Sequence, residues 1–185
     1  MVCAMSATSK YYDLAAPIVK IKLNVHAKEA PADCNFEPVG WCSPYTYRKA
    51  AERLAYCFRR EFDYDSVQYT AEEANFEGWK VMRDRVLMFG ENDQSISQPN
   101  TRRLFYGAVS VRWIEWENAP ASWALNWAWF HPYERRRGHL TRAWPHILRM
   151  YPNPWPRHPR SPSMQAFLEK MNFTHPLEAI ADFVI

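Results

Sequence analysis

Hydrophobic and polar positions follow two different periods along the first part of the chain. Residues 17–26 alternate apolar and polar side chains, which predicts a strand with one solvated face. A loop containing Pro38 follows. The pattern then lengthens to the helical period. Ser43 and Pro44 predict the start of that helix, with the serine as N-cap and the proline in the first turn.

Two successive helices are predicted before the pattern changes again. The first carries an apolar stripe at helical spacing: Tyr47, Ala51, Leu54, Phe58 and Phe62. Thr70, with a glutamate three positions later, has the form of a capping box. It predicts a second helix that extends to about Arg85.

The next segments have the two-residue period of strands. Residues 86–89 predict a short strand, and 103–116 a long one in which Gly107 is a candidate β-bulge. A turn that ends at Pro120 leads into a third strand over 122–130. Strands joined by so short a turn are expected to pair antiparallel.

The last part of the chain returns to helical spacing. An apolar stripe over 140–151 predicts a helix, which Pro145 should either bend or end early. Five prolines over 152–162 predict an extended segment. Ser161 is the expected N-cap of a short helix, and 176–185 is expected to form a final strand.

These elements together predict an α/β (α+β) fold, in which helices flank a mixed, mainly antiparallel central sheet. The length of 185 residues favours a single domain over 1–185, with 1–16 as a loose N-terminal extension. Hydrophobic residues make up 48% of the chain and charged residues 23%, which is enough for an ordinary packed core.

Composition narrows the classes of function. The net charge of +3 is lower than is usual for a dedicated nucleic-acid module. The four cysteines lack zinc-ligand spacing, so we expect reduced thiols, no metal and a cytoplasmic location. We find neither an apolar segment of signal-peptide length nor a membrane-spanning run, and we expect no membrane partner. The five glycines are too scattered for a dinucleotide-binding turn or a Walker A loop.

A basic turn follows the strand that ends at Phe130. Arg135, Arg136 and Arg137 come directly before Gly138, and a helix begins there. Backbone N–H groups at a helix start bind phosphate, and arginines add charge-assisted hydrogen bonds. The turn therefore indicates a phosphate site, with an ordinary solvated surface as the alternative.

The same turn resembles the signature of the GNAT superfamily of N-acetyltransferases, [Q/R]-x-x-G-x-[G/A]. Arg135 matches its first position and Gly138 its glycine, whereas Leu140 replaces the usual Gly or Ala. Residues 166–173 resemble a second family pattern, A-x-x-Y-E-K-x-G-F. There Leu168 replaces the tyrosine that serves as general acid in many members.

The resemblance implies acetyl transfer from acetyl-CoA to an amine by direct attack. It also implies that backbone and side chains of the turn hold the cofactor. The residues expected to bind acetyl-CoA are Phe130, Arg135, Arg136, Arg137, Gly138, His139, Leu140 and Thr141.

The catalytic candidates are Asn126, His131 and Tyr133. Asn126 could orient a water molecule or satisfy the backbone, and His131 flanks the turn. Tyr133 or Tyr151 could replace the missing acid, although surface or core packing is the role we favour for both. Glu115 and Glu117 are expected to be solvated charges near a hairpin turn.

The sequence does not distinguish among a protein, a small molecule and aminoacyl-tRNA as the acceptor. A homodimer is also left open. The alternative is a catalytically silent GNAT-like domain that binds protein or nucleic acid. In that reading Trp155 stacks on a base while Arg157 and Arg160 meet phosphates. The interpretation we favour for residues 155–160 is a proline-rich loop packed by its own tryptophan.

Overall fold

The computed structural model describes residues 18–20, 36–72, 84–92, 102–116, 120–158 and 160–175. Its six strands are β1 (Ile18–Lys20), β2 (Phe36–Val39), β3 (Asp84–Asn92), β4 (Arg102–Ile114), β5 (Ser122–Phe130) and β6 (Trp155–Pro156). Its helices are α1 (Tyr45–Phe62), α2 (His139–Met150) and α3 (Pro162–Lys170), with a 3-10 turn at Pro132–Glu134.

The strands form one sheet in the order β2-β3-β4-β5-β6, and β1 pairs with the start of β4. Every pair is antiparallel except β5 and β6, which run parallel. A parallel neighbour requires a crossover connection, and α2 provides it. The predicted mixed α/β class with a mainly antiparallel sheet is therefore confirmed.

Helices cover both faces of this sheet. Leu54 and Phe58 of α1 pack with Trp127 and Trp129 on one face. On the other face Trp144 and Ile147 of α2 and Leu168 of α3 pack against side chains that include Val109 and Leu125. The two-residue period of the strands divides their side chains between these two cores.

Two β-bulges shift that alternation. Phe89 lies opposite Gly107 but Gly90 lies opposite Phe105, which leaves Tyr106 as the extra residue of β4. The bulge is therefore one residue from the predicted position at Gly107. A second bulge lies in β5, where Ser110 is opposite Trp127 and Val111 is opposite Leu125, so that Asn126 is the extra residue.

Other sequence predictions need correction. Pro38 lies in β2 rather than in a loop; β2 is an outer strand of the described sheet, where a missing N–H is tolerated. Ser43 does not cap α1: Pro44 is the N-cap, and the Ser43 hydroxyl accepts from the Gly40 N–H at 3.1 Å. Arg85 belongs to β3, so a helix cannot extend to it.

Other predictions agree with the structure or lie beyond it. The strand over 122–130 and its antiparallel pairing with β4 are confirmed, as is the Ser161 cap, whose hydroxyl accepts from the Met164 N–H at 3.2 Å. Helix α2 continues past Pro145 to Met150. Most of the first predicted strand, residues 73–83, 93–101 and 117–119, and the tail over 176–185 lie outside the described residues.

Candidate functional site

Strand β5 leaves its parallel partner after two residue pairs. Ala124 lies opposite Trp155 and Leu125 opposite Pro156, and the Arg157 N–H donates to the Leu125 carbonyl at 3.1 Å. Beyond Leu125, no described strand pairs with this edge of β5, although the strand continues to Phe130. Backbone groups on such an edge are available to a ligand.

A cleft lies where the two strands separate. It holds about 430 Å³ of free space, part of it open to solvent. Phe58, Phe62 and Tyr64 line it from the end of α1, and residues 125–128 line it from β5. The remaining wall consists of Pro156, Arg157, Arg160, Ser161 and Met164, so α3 begins at the cleft.

Asn126 and Arg157 are joined across this cleft. The Arg157 guanidinium donates to Asn126 Oδ1 at 3.1 Å. The Nδ2 atom of Asn126 is buried and has no hydrogen-bond partner among the described residues. Because a buried amide donor without a partner is costly, this atom is a candidate for contact with a ligand or water. Burial, and then the charge of Arg112, lowers the pKa of Arg157 from its ordinary value.

Helix α2 begins at the other end of the open edge. Gly138 is its N-cap and has a left-handed backbone, with φ of 76°. The first N–H groups of a helix have no partner within it, so His139, Leu140 and Thr141 present donors at this end. Phe130 lies four positions after Asn126 along β5, a distance of about 13 Å. Cleft and helix start thus lie along one strand edge.

The Arg135 side chain connects the turn to the end of β5 and to α1. Its Nε donates to the Phe130 carbonyl at 2.8 Å, and its guanidinium forms an ion pair with Glu61. The same Glu61 carboxylate accepts from Trp129 Nε1 at 2.7 Å. The side chain predicted to neutralise a phosphate is therefore already engaged in positioning the turn.

The other arginines near the turn differ in the partners that their side chains have. Arg137 pairs with Glu134 at 3.1 Å, while its side chain stays 60% exposed. Arg136 has a positive φ of 60° and no side-chain partner among the described residues. Arg142, one turn into α2, donates to the Arg137 carbonyl at 3.0 Å. Arg136 is thus the guanidinium most available to an anion.

His139 and Leu140 face the protein rather than the exposed end of the helix. The His139 ring stacks on Phe130, with 6.0 Å between ring centroids, and its Nε2 lies 3.1 Å from Glu134. Leu140 packs against the core beneath α2. Their side chains are therefore unsuited to the predicted cofactor contacts, which leaves their backbone N–H groups. Because Leu140 points inward, it does not crowd the helix start.

The structure separates the three predicted catalytic residues. Asn126 lines the cleft, but His131 and Tyr133 lie on the turn after β5. His131 Nδ1 accepts from the Tyr133 N–H at 3.4 Å, and the Tyr133 side chain is 61% exposed. Tyr151 is buried against Trp123 and does not line the cleft.

Sequence reasoning missed part of the site. It considered Arg157 and Arg160 only as phosphate contacts of the alternative, nucleic-acid-binding reading, whereas both line the cleft. Trp155 is 6% exposed and stacked with His175, so it is unavailable to a base. Glu61 was not predicted, because the contact between the end of α1 and the turn joins residues 74 positions apart.

The chain matches no protein-family model, and no curated protein matches its sequence. Among the described residues, no helix is long and apolar enough to cross a membrane. The same part of the chain holds no group of three or more His, Cys, Asp or Glu side chains arranged for a metal ion. The fold and site define a mixed α/β protein with a cleft between diverging parallel strands.

Proposed function

We propose that the protein is an acyltransferase that moves an acetyl group from acetyl-CoA to an amine. The observation that carries the proposal is the separation of β5 from β6. It leaves an open edge of β5 with the cleft at one end and the start of α2 at the other. This edge would offer an anion site at the start of α2, and a cleft with polar donors lies at its other end. The resemblance of the turn to the GNAT signature supports the same reading.

The start of α2 would bind the pyrophosphate of acetyl-CoA. Backbone N–H groups of His139, Leu140 and Thr141 supply donors, and the helix dipole favours negative charge there. Gly138 presents no side chain to the ligand, and Arg142 Nη1 lies 3.1 Å from where a Cβ at this position would stand, so Arg142 also borders the site. Arg136 would add a charge-assisted hydrogen bond. An extended pantetheine arm would then follow the open edge of β5 towards Asn126.

The open edge of β5 would hold the thioester in the cleft. Its unpaired N–H groups, together with Asn126, would donate hydrogen bonds to the carbonyl oxygen as negative charge develops on it. Donors held in place beforehand stabilise that charge without further reorganisation.

The reaction would proceed without the general acid that many members of the GNAT superfamily use. Leu168 stands at the position of the tyrosine in the family pattern. Its side chain is buried in the core and has no acidic group. A thiolate is a good leaving group because thiol pKa values lie only modestly above neutrality. His131 and Tyr133 lie on the turn after β5 and do not line the cleft.

Thermal unfolding in the presence of acetyl-CoA tests the cofactor site. At about 100 times Kd, binding should stabilise the fold by roughly 2.7 kcal/mol and raise Tm by about 5–10 °C. Arg136→Ala should weaken binding about 10-fold, because one charge-assisted hydrogen bond is lost. Arg149→Ala, an exposed arginine in the last turn of the same helix, should leave it unchanged.

An assay of thiol release with amines separates transfer from binding alone. Transfer supports the enzyme. A Tm shift without transfer to any amine would favour the catalytically silent domain. Absence of a Tm shift at millimolar acetyl-CoA would refute the cofactor site itself.

A further inference from the structure

The charges that line the cleft are all positive. Arg157 and Arg160 contribute guanidinium groups, and the described residues of the lining include no Asp, Glu or His. An acceptor that carries extra positive charge, such as a polyamine, would meet repulsion there. An acceptor with a negative group would be attracted.

Asp84, whose charge acts on Arg157, is already paired with another arginine. Arg112 donates to both carboxylate oxygens of Asp84, at 2.6 and 2.8 Å. This two-bond geometry occupies the carboxylate. Arg157 instead bonds to the neutral amide of Asn126, and it has no ion pair among the described residues. Its charge is therefore available to an anion that enters the cleft.

Arg160 is held beside Arg157 at the start of α3. Its Nε donates to the Pro156 carbonyl at 3.2 Å, its Nη1 donates to Gln165 Oε1 at 3.2 Å, and its Nη2 lies 2.7 Å from His158 Nε2. These contacts fix the direction of the side chain at the wall of the cleft. Two guanidinium groups on one wall suit a carboxylate, which can accept several hydrogen bonds.

The opposite wall is aromatic. The Phe58 ring lies 5.0 Å from that of Phe62 and 5.1 Å from that of Tyr64, measured between centroids. Phe62 is 39% exposed, which leaves an apolar surface open towards the cleft. Such a surface suits an apolar or aromatic side chain.

We propose that the acceptor is a free α-amino acid with an apolar or aromatic side chain, whose carboxylate binds Arg157 and Arg160. This inference rests on the proposed acetyl transfer and narrows its substrate class. Asn126 then has two roles: its Oδ1 accepts from Arg157 and orients it, and its Nδ2 stays available to the thioester carbonyl.

The same charges help the amine to react. Once the carboxylate is neutralised, the surplus positive charge disfavours the ammonium form, so the amine loses a proton to solvent. The nitrogen lone pair then forms a bond to the thioester carbonyl carbon. The C–S bond breaks, CoA leaves as a thiolate, and the second amine proton passes to solvent or to that thiolate. No carboxylate or histidine of the cleft is needed as a base.

Matched acceptors test the inference in the thiol-release assay. L-Phenylalanine should be acetylated with a kcat/KM about 10-fold or more above that of 2-phenylethylamine, which lacks only the carboxylate. Arg157→Gln should reduce this preference, because it should lower kcat/KM for phenylalanine at least about 10-fold more than it lowers kcat/KM for 2-phenylethylamine. Arg149→Gln, outside the cleft, should change neither value.

A binding measurement keeps the two proposals apart. Calorimetric titration with N-acetyl-L-phenylalanine, without acetyl-CoA, should show binding that Arg157→Gln weakens. Transfer to 2-phenylethylamine or spermidine as efficient as transfer to phenylalanine would overturn the inference and leave the acetyltransferase proposal standing. Binding of N-acetyl-L-phenylalanine without any acetyl-CoA binding would support the carboxylate site and overturn the proposed function.

Discussion

Gly107 of β4 lies opposite Phe130 at the end of the neighbouring strand β5, and the geometry there excludes a side chain. A Cβ atom at this position would stand 2.3 Å from Cδ1 and 2.7 Å from Cε1 of Phe130. The ring would have to retreat by about 1 Å to restore ordinary contact. Phe89 and His139 limit that retreat, because their rings lie 5.0 and 6.0 Å from it between centroids.

Gly107→Ala should therefore destabilise the protein by overpacking. Such insertions into a packed site cost about 1–3 kcal/mol. For a chain of this size, a loss of about 2 kcal/mol corresponds to a fall in Tm of roughly 4–8 °C. The urea midpoint should fall by about 1 M if the m-value is near 2 kcal/mol/M.

Urea unfolding with a matched glycine control tests this reasoning. A Cβ at Gly40 would meet only the flexible Arg85 side chain, at 3.4 Å, so Gly40→Ala should be neutral or stabilising by up to about 1 kcal/mol. Phe130→Ala removes the opposing ring, and Gly107→Ala should cost at least about 1 kcal/mol less in that background. An equal cost in both backgrounds, or no cost in the wild type, would refute the steric argument.

Two further predictions concern α3 and its surroundings. Ser161→Ala should lower the free energy of unfolding by about 1 kcal/mol, because the Met164 N–H loses its hydrogen-bond partner. The control Ser163→Ala, at an exposed position, should change it by less than about 0.5 kcal/mol. Equal effects of the two variants in urea unfolding would contradict the capping role. Burial lowers the pKa of His175 below its ordinary 6.5, so the unfolded chain binds this proton more readily and stability should fall as pH drops through and below about 6.5. His175→Phe should reduce that pH dependence between about pH 7.5 and 5.5, and an unchanged slope would count against it.

Local patterns predicted much of the fold because the signals for those elements lie close together in sequence. The alternation over 122–130 fixed β5, and Ser161 with the following proline fixed the start of α3. Gly138 was expected at the start of a helix after a strand, and it is the N-cap of α2. In each case a few neighbouring residues determine the backbone.

The errors arose where distant pairing overrides local preference. Pro38 belongs to a strand because β2 pairs with β3, which no pattern near Pro38 indicates. Asp84 and Arg85 resembled the end of a helix, yet their pairing with β4 places them in the sheet.

The cleft was not predicted, again because residues distant in the sequence form it. Its walls come from α1, β5 and the segment after β6, and only the fold brings Phe62, Asn126 and Arg157 together. The two-residue strand β6 is too short for a periodic signal. Because the sequence does not show that β6 pairs with β5, it does not reveal that Arg157 faces Asn126.

Native mass spectrometry of the protein with acetyl-CoA tests the central claim most directly, and the charge at Gly138 provides the comparison. Both Asp and Asn tolerate a left-handed backbone, so Gly138→Asp and Gly138→Asn should fold alike. The account predicts one acetyl-CoA bound per wild-type chain, partial retention in Gly138→Asn, and none in Gly138→Asp, whose carboxylate would repel the pyrophosphate at the start of α2. Absence of bound acetyl-CoA in the wild type, or equal binding by the Asp and Asn variants, would contradict it.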